Sequence, residues 1–136
     1  MSRTAMVTGA SKGIGLAIAK RLADSGNKVI GIARSELDEE FPGLYFKVDL
    51  EDHATVVDAL ANIINEHPID ILINNAGYSL PATAEDTTLP DFDKQINVNL
   101  RGALICSQAV IPGMKERNFG RIIHMASRAM MGKEER

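Results

Sequence analysis

Two stretches of this 136-residue chain hold residues whose types and spacing suit chemistry. The first is TGASKGIG, residues 8–15. Gly9, Gly13 and Gly15 remove side chains where a turn is tight, where a pyrophosphate would approach the backbone, and where a helix packs on a strand. An apolar run precedes the loop and a helical pattern follows it. The helix start then offers free amide donors and the positive end of its dipole to a phosphate. The spacing is not the common G-x-G-x-x-G, and a glycine loop on its own reads equally well as a tight turn. The second stretch is GRIIHMAS, residues 120–127, an apolar core-type strand that delivers the hydroxyl of Ser127 to its carboxyl end.

These residues need a frame, and the chain supplies an alternation. TAMVTG, KVIGIA, GLYFKVDL, IDILINNAG and GRIIHMAS read as strands. Between them, IGLAIAKRLADSG carries Ile14, Ala17, Ile18 and Leu22 at helical spacing, with Gly26 as its stop. HATVVDALANIINEH carries Val56, Leu60, Ile63 and Ile64 on one stripe, and residues 91–117 read as one long helix. The segment 34–43 holds Pro42 and Gly43 and little periodicity, so a turn or a short, poor helix is expected. Strands alternating with helices imply an α/β fold, a parallel doubly wound sheet in a three-layer αβα sandwich. Such sheets bind ligands at the carboxyl ends of their strands.

Composition narrows the function classes. Hydrophobic residues make up 45%, a globular share, and the length suits one domain over residues 1–136. A net charge of −3 argues against binding nucleic acid through bulk positive charge. No run is long enough to cross a bilayer, and the N-terminus has no signal-type apolar segment, so a soluble, cytoplasmic protein without a membrane partner is expected. His53, His67 and His124 have no metal-ligand spacing, so no metal site is expected; His124 reads as a packed or hydrogen-bonded core residue and the other two as exposed. Cys106 is the sole cysteine and cannot form an internal disulfide.

TGASKGIG near the N-terminus, NNAG after the fourth strand and NVNLRG in the long helix together resemble the short-chain dehydrogenase/reductase family. The match runs essentially end to end but covers only the N-terminal half or so of a usual member. The resemblance implies a Rossmann sheet truncated after its fifth strand, and a nicotinamide dinucleotide as cofactor. By resemblance Gly9, Ser11, Lys12, Gly13, Ile14 and Gly15 hold the diphosphate side of that cofactor. Asp49, with Leu50 beside it, contacts the adenine, and it also suits a turn or helix cap. Asn75, Ala76 and Gly77 border the adenosine ribose, and Asn74 helps hold the central sheet.

The end of the second strand decides between the two nicotinamide cofactors. A carboxylate there accepts hydrogen bonds from the ribose hydroxyls of NAD, whereas cations favour the 2′-phosphate of NADP. The family's acidic position falls on Ala33, and Arg34 and Lys12 supply cations, so NADP(H) is expected in preference to NAD(H). Glu36 is the competing carboxylate, near enough in the loop to swing toward the ribose.

By the same resemblance Ser127 hydrogen-bonds a substrate carbonyl oxygen, and Asn99 bends the long helix and holds a water in a proton relay. Asn97 is a structural hydrogen bonder. A tyrosine about a dozen residues after the serine, and a lysine four residues further on, complete the family's catalytic set. Tyr45 and Tyr78 are the only tyrosines, and neither begins a Tyr-x-x-x-Lys or follows Ser127. The chain alone is therefore expected to have little turnover. The apolar arc of the 91–117 helix suggests a homo-oligomer with Cys106 in or near its surface. The leading reading is an oxidoreductase acting on small carbonyl or alcohol substrates, with the look of 3-oxoacyl-carrier-protein reductases. A non-catalytic NADP(H)-binding or protein-interaction module is the alternative, and a plain scaffold of the same architecture the third.

Overall fold

A computed structural model describes residues 1–131. Its strands are β1 (Thr4–Thr8), β2 (Lys28–Ala33), β3 (Leu44–Lys47), β4 (Ile71–Asn74) and β5 (Arg121–His124). They form one sheet in the order β3-β2-β1-β4-β5, and every pairing is parallel. The helices are α1 (Gly13–Asp24), α2 (Val56–Glu66), α3 (Leu89–Ile96) and α4 (Gly102–Glu116). The strand order reverses between β1 and β4, which is where a doubly wound sheet opens its ligand crevice.

Two cores, one on each face of the sheet, explain why these segments fold as they do. The larger joins Met6, Ile30, Ile32 and Leu72 of the strands to Val56, Leu60 and Ile63 of α2 and Cys106, Val110 and Met114 of α4. The smaller joins Val7, Val29 and Ile73 to Ala19 of α1, with Ile18 and Leu22 packed against it. Met6 and Val7 fall in different cores, as successive residues of a strand must. The amino ends of the central strands are tied by Asp70. Its carboxylate accepts from the Thr4 amide at 3.1 Å and from Arg117 Nε at 3.4 Å, while Arg117 Nη2 donates to Ile69 O at 2.6 Å.

Four expectations from the sequence change. The α1 stripe is rotated: Gly15, Leu16 and Ala19 are buried, while Ile14 is 65% exposed and Ala17 lies open. The cause is steric. A Cβ on Gly15 would strike the Gly9 carbonyl oxygen, so this helix sits against the loop on its glycine face. The 91–117 helix is divided: α3 gives way at Asn97–Arg101 to a wide π turn before α4 begins. Cys106 is fully buried rather than near an outer surface, because residues 102, 106, 110 and 114 form the α4 stripe that faces the sheet. Finally, β5 reads as a core-type strand but is largely exposed here. Among the described residues it pairs with β4 alone and lies at the sheet edge, with Ile123 47% exposed and His124 also exposed.

Other expectations hold. Val56, Leu60 and Ile63 are the buried side of α2. Gly26 ends α1 at φ +84, with its amide bonded to Ala23 O and that of Asn27 to Leu22 O. Segment 34–43 is irregular, and its Phe41 ring lies over Gly31, where a Cβ would meet Phe41 Cε2 at 2.8 Å. No described helix is long and apolar enough to cross a membrane.

Burial raises the Cys106 thiol to about 12. At pH 8 its alkylation by iodoacetamide should be roughly a thousandfold slower in the native chain than in guanidinium. Similar rates in the two conditions would place the thiol at the surface.

Candidate functional site

The site is built where β1 and β4 end. The Thr8 hydroxyl oxygen, almost wholly buried, accepts from the amides of Asn75 at 3.0 Å and Ala76 at 2.8 Å. In return Asn75 Nδ2 donates to Thr8 O at 3.1 Å and Gly9 O at 3.3 Å. This exchange clamps the glycine loop to the β4 exit. Gly9, at φ +63, fits only without a side chain, since a Cβ would lie 2.9 Å from Ala76 Cα. Gly13 also has a positive φ of 57, and the space before it is open. Lys12 precedes α1 in an extended conformation, and no side chain caps the helix. The first-turn amides are thus free of a side-chain acceptor, and no acidic residue occupies that turn.

A second buried group sits one residue earlier. Asn74 Nδ2 donates to Ser107 Oγ at 3.3 Å and lies 3.2 Å from His124 Nδ1, joining β4 to α4 and β5. Ser107 Oγ in turn donates a hydrogen bond to Ala103 O at 2.7 Å. Asn74 Oδ1 is buried and has no hydrogen-bond partner among the described residues.

The π turn places Asn99 beside the β4 exit. Its Oδ1 accepts from the Tyr78 amide and its Nδ2 donates to Tyr78 O, both at 2.7 Å. The side chain thus closes a two-point contact with the segment after Gly77, although Asn99 is itself exposed. Asn97 takes the structural part, accepting from Arg101 Nε at 3.2 Å. Gly102 gives Leu50 its place, because an added Cβ would lie 3.0 Å from Leu50 Cδ1.

Together these elements wall a cleft of about 490 Å3. Every residue assigned above to cofactor contact lines it: Gly9, Ser11, Lys12, Gly13, Ile14, Gly15, Arg34, Asp49, Leu50, Asn75, Ala76 and Gly77. Lys12 and Arg34 are exposed on its wall, and neither forms an ion pair among the described residues. Asp49 acts also as a turn residue, its Oδ1 accepting from the Glu51 amide at 2.9 Å. An adjoining cleft of about 550 Å3 shares Ile14, Leu50 and residues 75–79 with the first, and Asn74, Asn99, His124 and Ser127 line it. Ser127 Oγ accepts from the Ala129 amide at 3.1 Å, so its hydroxyl proton is free to be donated elsewhere.

Sequence reasoning passed over several residues here. Tyr78, Ser79, Lys94 and Val98 also line the first cleft, with the Lys94 ammonium 4.4 Å from the centre of the Tyr78 ring. Thr8 is another, through the two amides its hydroxyl holds. Its signal was available: a hydroxyl at the last position of an otherwise apolar strand must find partners when buried.

The fold and cleft define a Rossmann-type α/β domain. The chain belongs to the short chain dehydrogenase family, whose model matches residues 3–135. It is 39% identical over 138 residues to a "Probable NADP-dependent dehydrogenase" of Haemophilus influenzae, covering 91% of this chain and 53% of that protein. It is 38% identical over 133 residues to the NADP-dependent 3-hydroxy acid dehydrogenase YdfG of Escherichia coli, covering 91% and 54%. Among solved structures, a 3-oxoacyl (acyl-carrier-protein) reductase from Agrobacterium tumefaciens with NADP bound superimposes with a TM-score of 0.85 at 30% identity, covering 95% of this chain and 54% of that one. The chain spans about half the length of the curated relatives it matches.

Thr8→Val should lower unfolding free energy by about 1–3 kcal/mol, since two amides lose their acceptor. Urea denaturation followed by circular dichroism reads this directly. An unchanged midpoint would mean that the β1–β4 clamp is not held by the hydroxyl.

Proposed function

We propose that this chain is the nucleotide-binding portion, with part of the catalytic set, of an NADP(H)-dependent oxidoreductase. The observation that carries the reading is the pairing of uncapped α1 amides with Lys12 and Arg34 on one cleft wall. The residues fit the cofactor. The open space at Gly13 leaves room for a diphosphate, the amides and helix dipole favour its charge, and Arg34 offers a planar fork to a 2′-phosphate. Ala33 stands where a ribose-binding carboxylate would otherwise compete. Asp49 and Leu50 would border the adenine, while Asn75, Ala76 and Gly77 would let the adenosine ribose pass close to the backbone. The NADP-dependent relatives and the NADP-bound neighbour support the same choice.

When bound, the nicotinamide supplies or accepts a hydride. The chain's own residues would meet the substrate oxygen. Ser127 would donate a hydrogen bond from its hydroxyl to an oxygen that gains negative charge on reduction. Asn99, held at both ends of its amide by Tyr78, acts through position: it fixes the π turn and the segment after Gly77, and would help order a relay water. Carbonyl or 3-oxoacyl reduction, or the reverse oxidation of a 3-hydroxy acid, is the reaction class, in line with the names of the relatives. Because neither Tyr45 nor Tyr78 starts a Tyr-x-x-x-Lys, these 136 residues by themselves should bind cofactor without appreciable turnover. The outer face of α3, the π turn and α4 exposes Phe92, Ile96, Leu100, Leu104 and Ile111, and self-association through it is part of the proposal.

Titration of the chain with NADPH and NADH, followed by nicotinamide fluorescence, tests the reading. NADPH should bind more tightly. Arg34→Ala should weaken NADPH about tenfold while changing NADH by less than about twofold. Equal affinities for the two cofactors, or an equal loss for both in the variant, would refute it. For the outer face, Leu104→Asp should lower the sedimentation-derived mass toward that of one chain; an unchanged mass would remove α4 from any interface.

A further inference from the structure

The loop after β2 carries Arg34 into the cleft, and it also carries acidic residues. Glu36 lies two positions beyond Arg34, and Asp38, Glu39 and Glu40 follow. A carboxylate free to turn toward the adenosine ribose would repel a 2′-phosphate, and it would accept hydrogen bonds from an unphosphorylated ribose. The loop's conformation therefore bears on which nucleotide the cleft selects.

Residues outside the loop hold it at three points. Tyr45 on β3 donates its hydroxyl to Ser35 O at 2.6 Å. Two residues on, and so on the same face of β3, Lys47 Nζ lies 2.6 Å from Glu36 Oε1. On α1, Lys20 Nζ lies 2.7 Å from Glu39 Oε2. Arg34 and Ser35 line the cleft, and Glu36 does not. The register makes the placement specific. Lys47 is the β3 partner of Ala33, the position where an acidic residue would serve an unphosphorylated ribose.

We propose that Lys47 is a specificity-determining residue: by holding Glu36 against β3 it keeps that carboxylate away from the adenosine 2′ position, so that the cleft favours a 2′-phosphorylated nucleotide. The inference rests on the NADP(H) reading above and goes further, to a residue that does not line the cleft and acts through another. The contact with Glu36 also raises the Lys47 ammonium above its ordinary value, the hydrogen bond contributing first. Both side chains are solvated, 54% and 78% exposed, and such pairs add little to fold stability. Its consequence falls on nucleotide choice rather than on folding.

Calorimetric titration of the 136-residue chain with 2′,5′-ADP and with 5′-AMP isolates the 2′ position. The wild-type chain should prefer 2′,5′-ADP. Lys47→Ala should reduce that preference about fivefold, and Glu36→Gln/Lys47→Ala should restore it to within about twofold of wild type. A preference unchanged in Lys47→Ala overturns the proposal. So does a double variant as poor as the single one, which would mean that Lys47 meets the phosphate itself. A wild-type chain with no preference for 2′,5′-ADP would remove the NADP(H) reading and this inference with it, whereas the first two failures leave that reading standing.

Discussion

One hydroxyl holds the cleft in shape. Thr8 ends β1 with its oxygen buried, and two consecutive amides after β4 converge on it. The amide side chain of Asn75 answers by binding the carbonyls of Thr8 and Gly9. Four hydrogen bonds thus close between two chain segments more than sixty residues apart. They lie at the strand-order reversal, where neighbouring crossovers leave in opposite directions, and they tie the two loops beyond the end of the β1–β4 pairing. The tolerance is small. A Cβ on Gly9 would press into Ala76, and one on Gly15 would strike the Gly9 carbonyl. The glycines and the clamp are therefore one device, and the orientation of α1's amides follows from it.

The break in the helix between α3 and α4 has the same logic on the other wall. A continuous helix would satisfy its own backbone and leave Asn99 as an ill-suited interior residue. The π turn instead presents its amide group to Tyr78 at both ends. It also precedes Gly102, whose missing side chain seats Leu50 between the two clefts. A poor helix former and a glycine, costly in an isolated helix, here serve the packing of two loops, those that follow β4 and β3.

Charge is distributed with a similar division of labour. Lys12 and Arg34 stand free of ion pairs among the described residues and face the cleft, while Lys20 and Lys47 are engaged with acidic residues of the loop between β2 and β3. A chain of modest net charge thereby gains a positive wall without a basic surface. The outward apolar face of α3 and α4 stands apart from this site, because its residues point away from the stripe at 102, 106, 110 and 114 that packs on the sheet.

Much was legible in the residues themselves. The alternation of apolar runs and helical stripes implied the doubly wound sheet, and the residues following each strand marked the cleft. The reason is that these signals are local: a strand buried on both faces reads as an apolar run, and a turn at a ligand reads as glycine. Tertiary structure decided the rest. The rotation of α1 followed from one contact between Gly15 and Gly9, not from its apolar spacing. The burial of Cys106 depended on which side of a nearly all-apolar helix met the sheet, a choice that periodicity cannot make. Thr8 bonding to Asn75, and Lys47 to Glu36, involve partners brought together only by strand order and register. Contacts between distant segments leave no pattern in either segment alone, so residue order could mark the cleft but could not reveal what holds it.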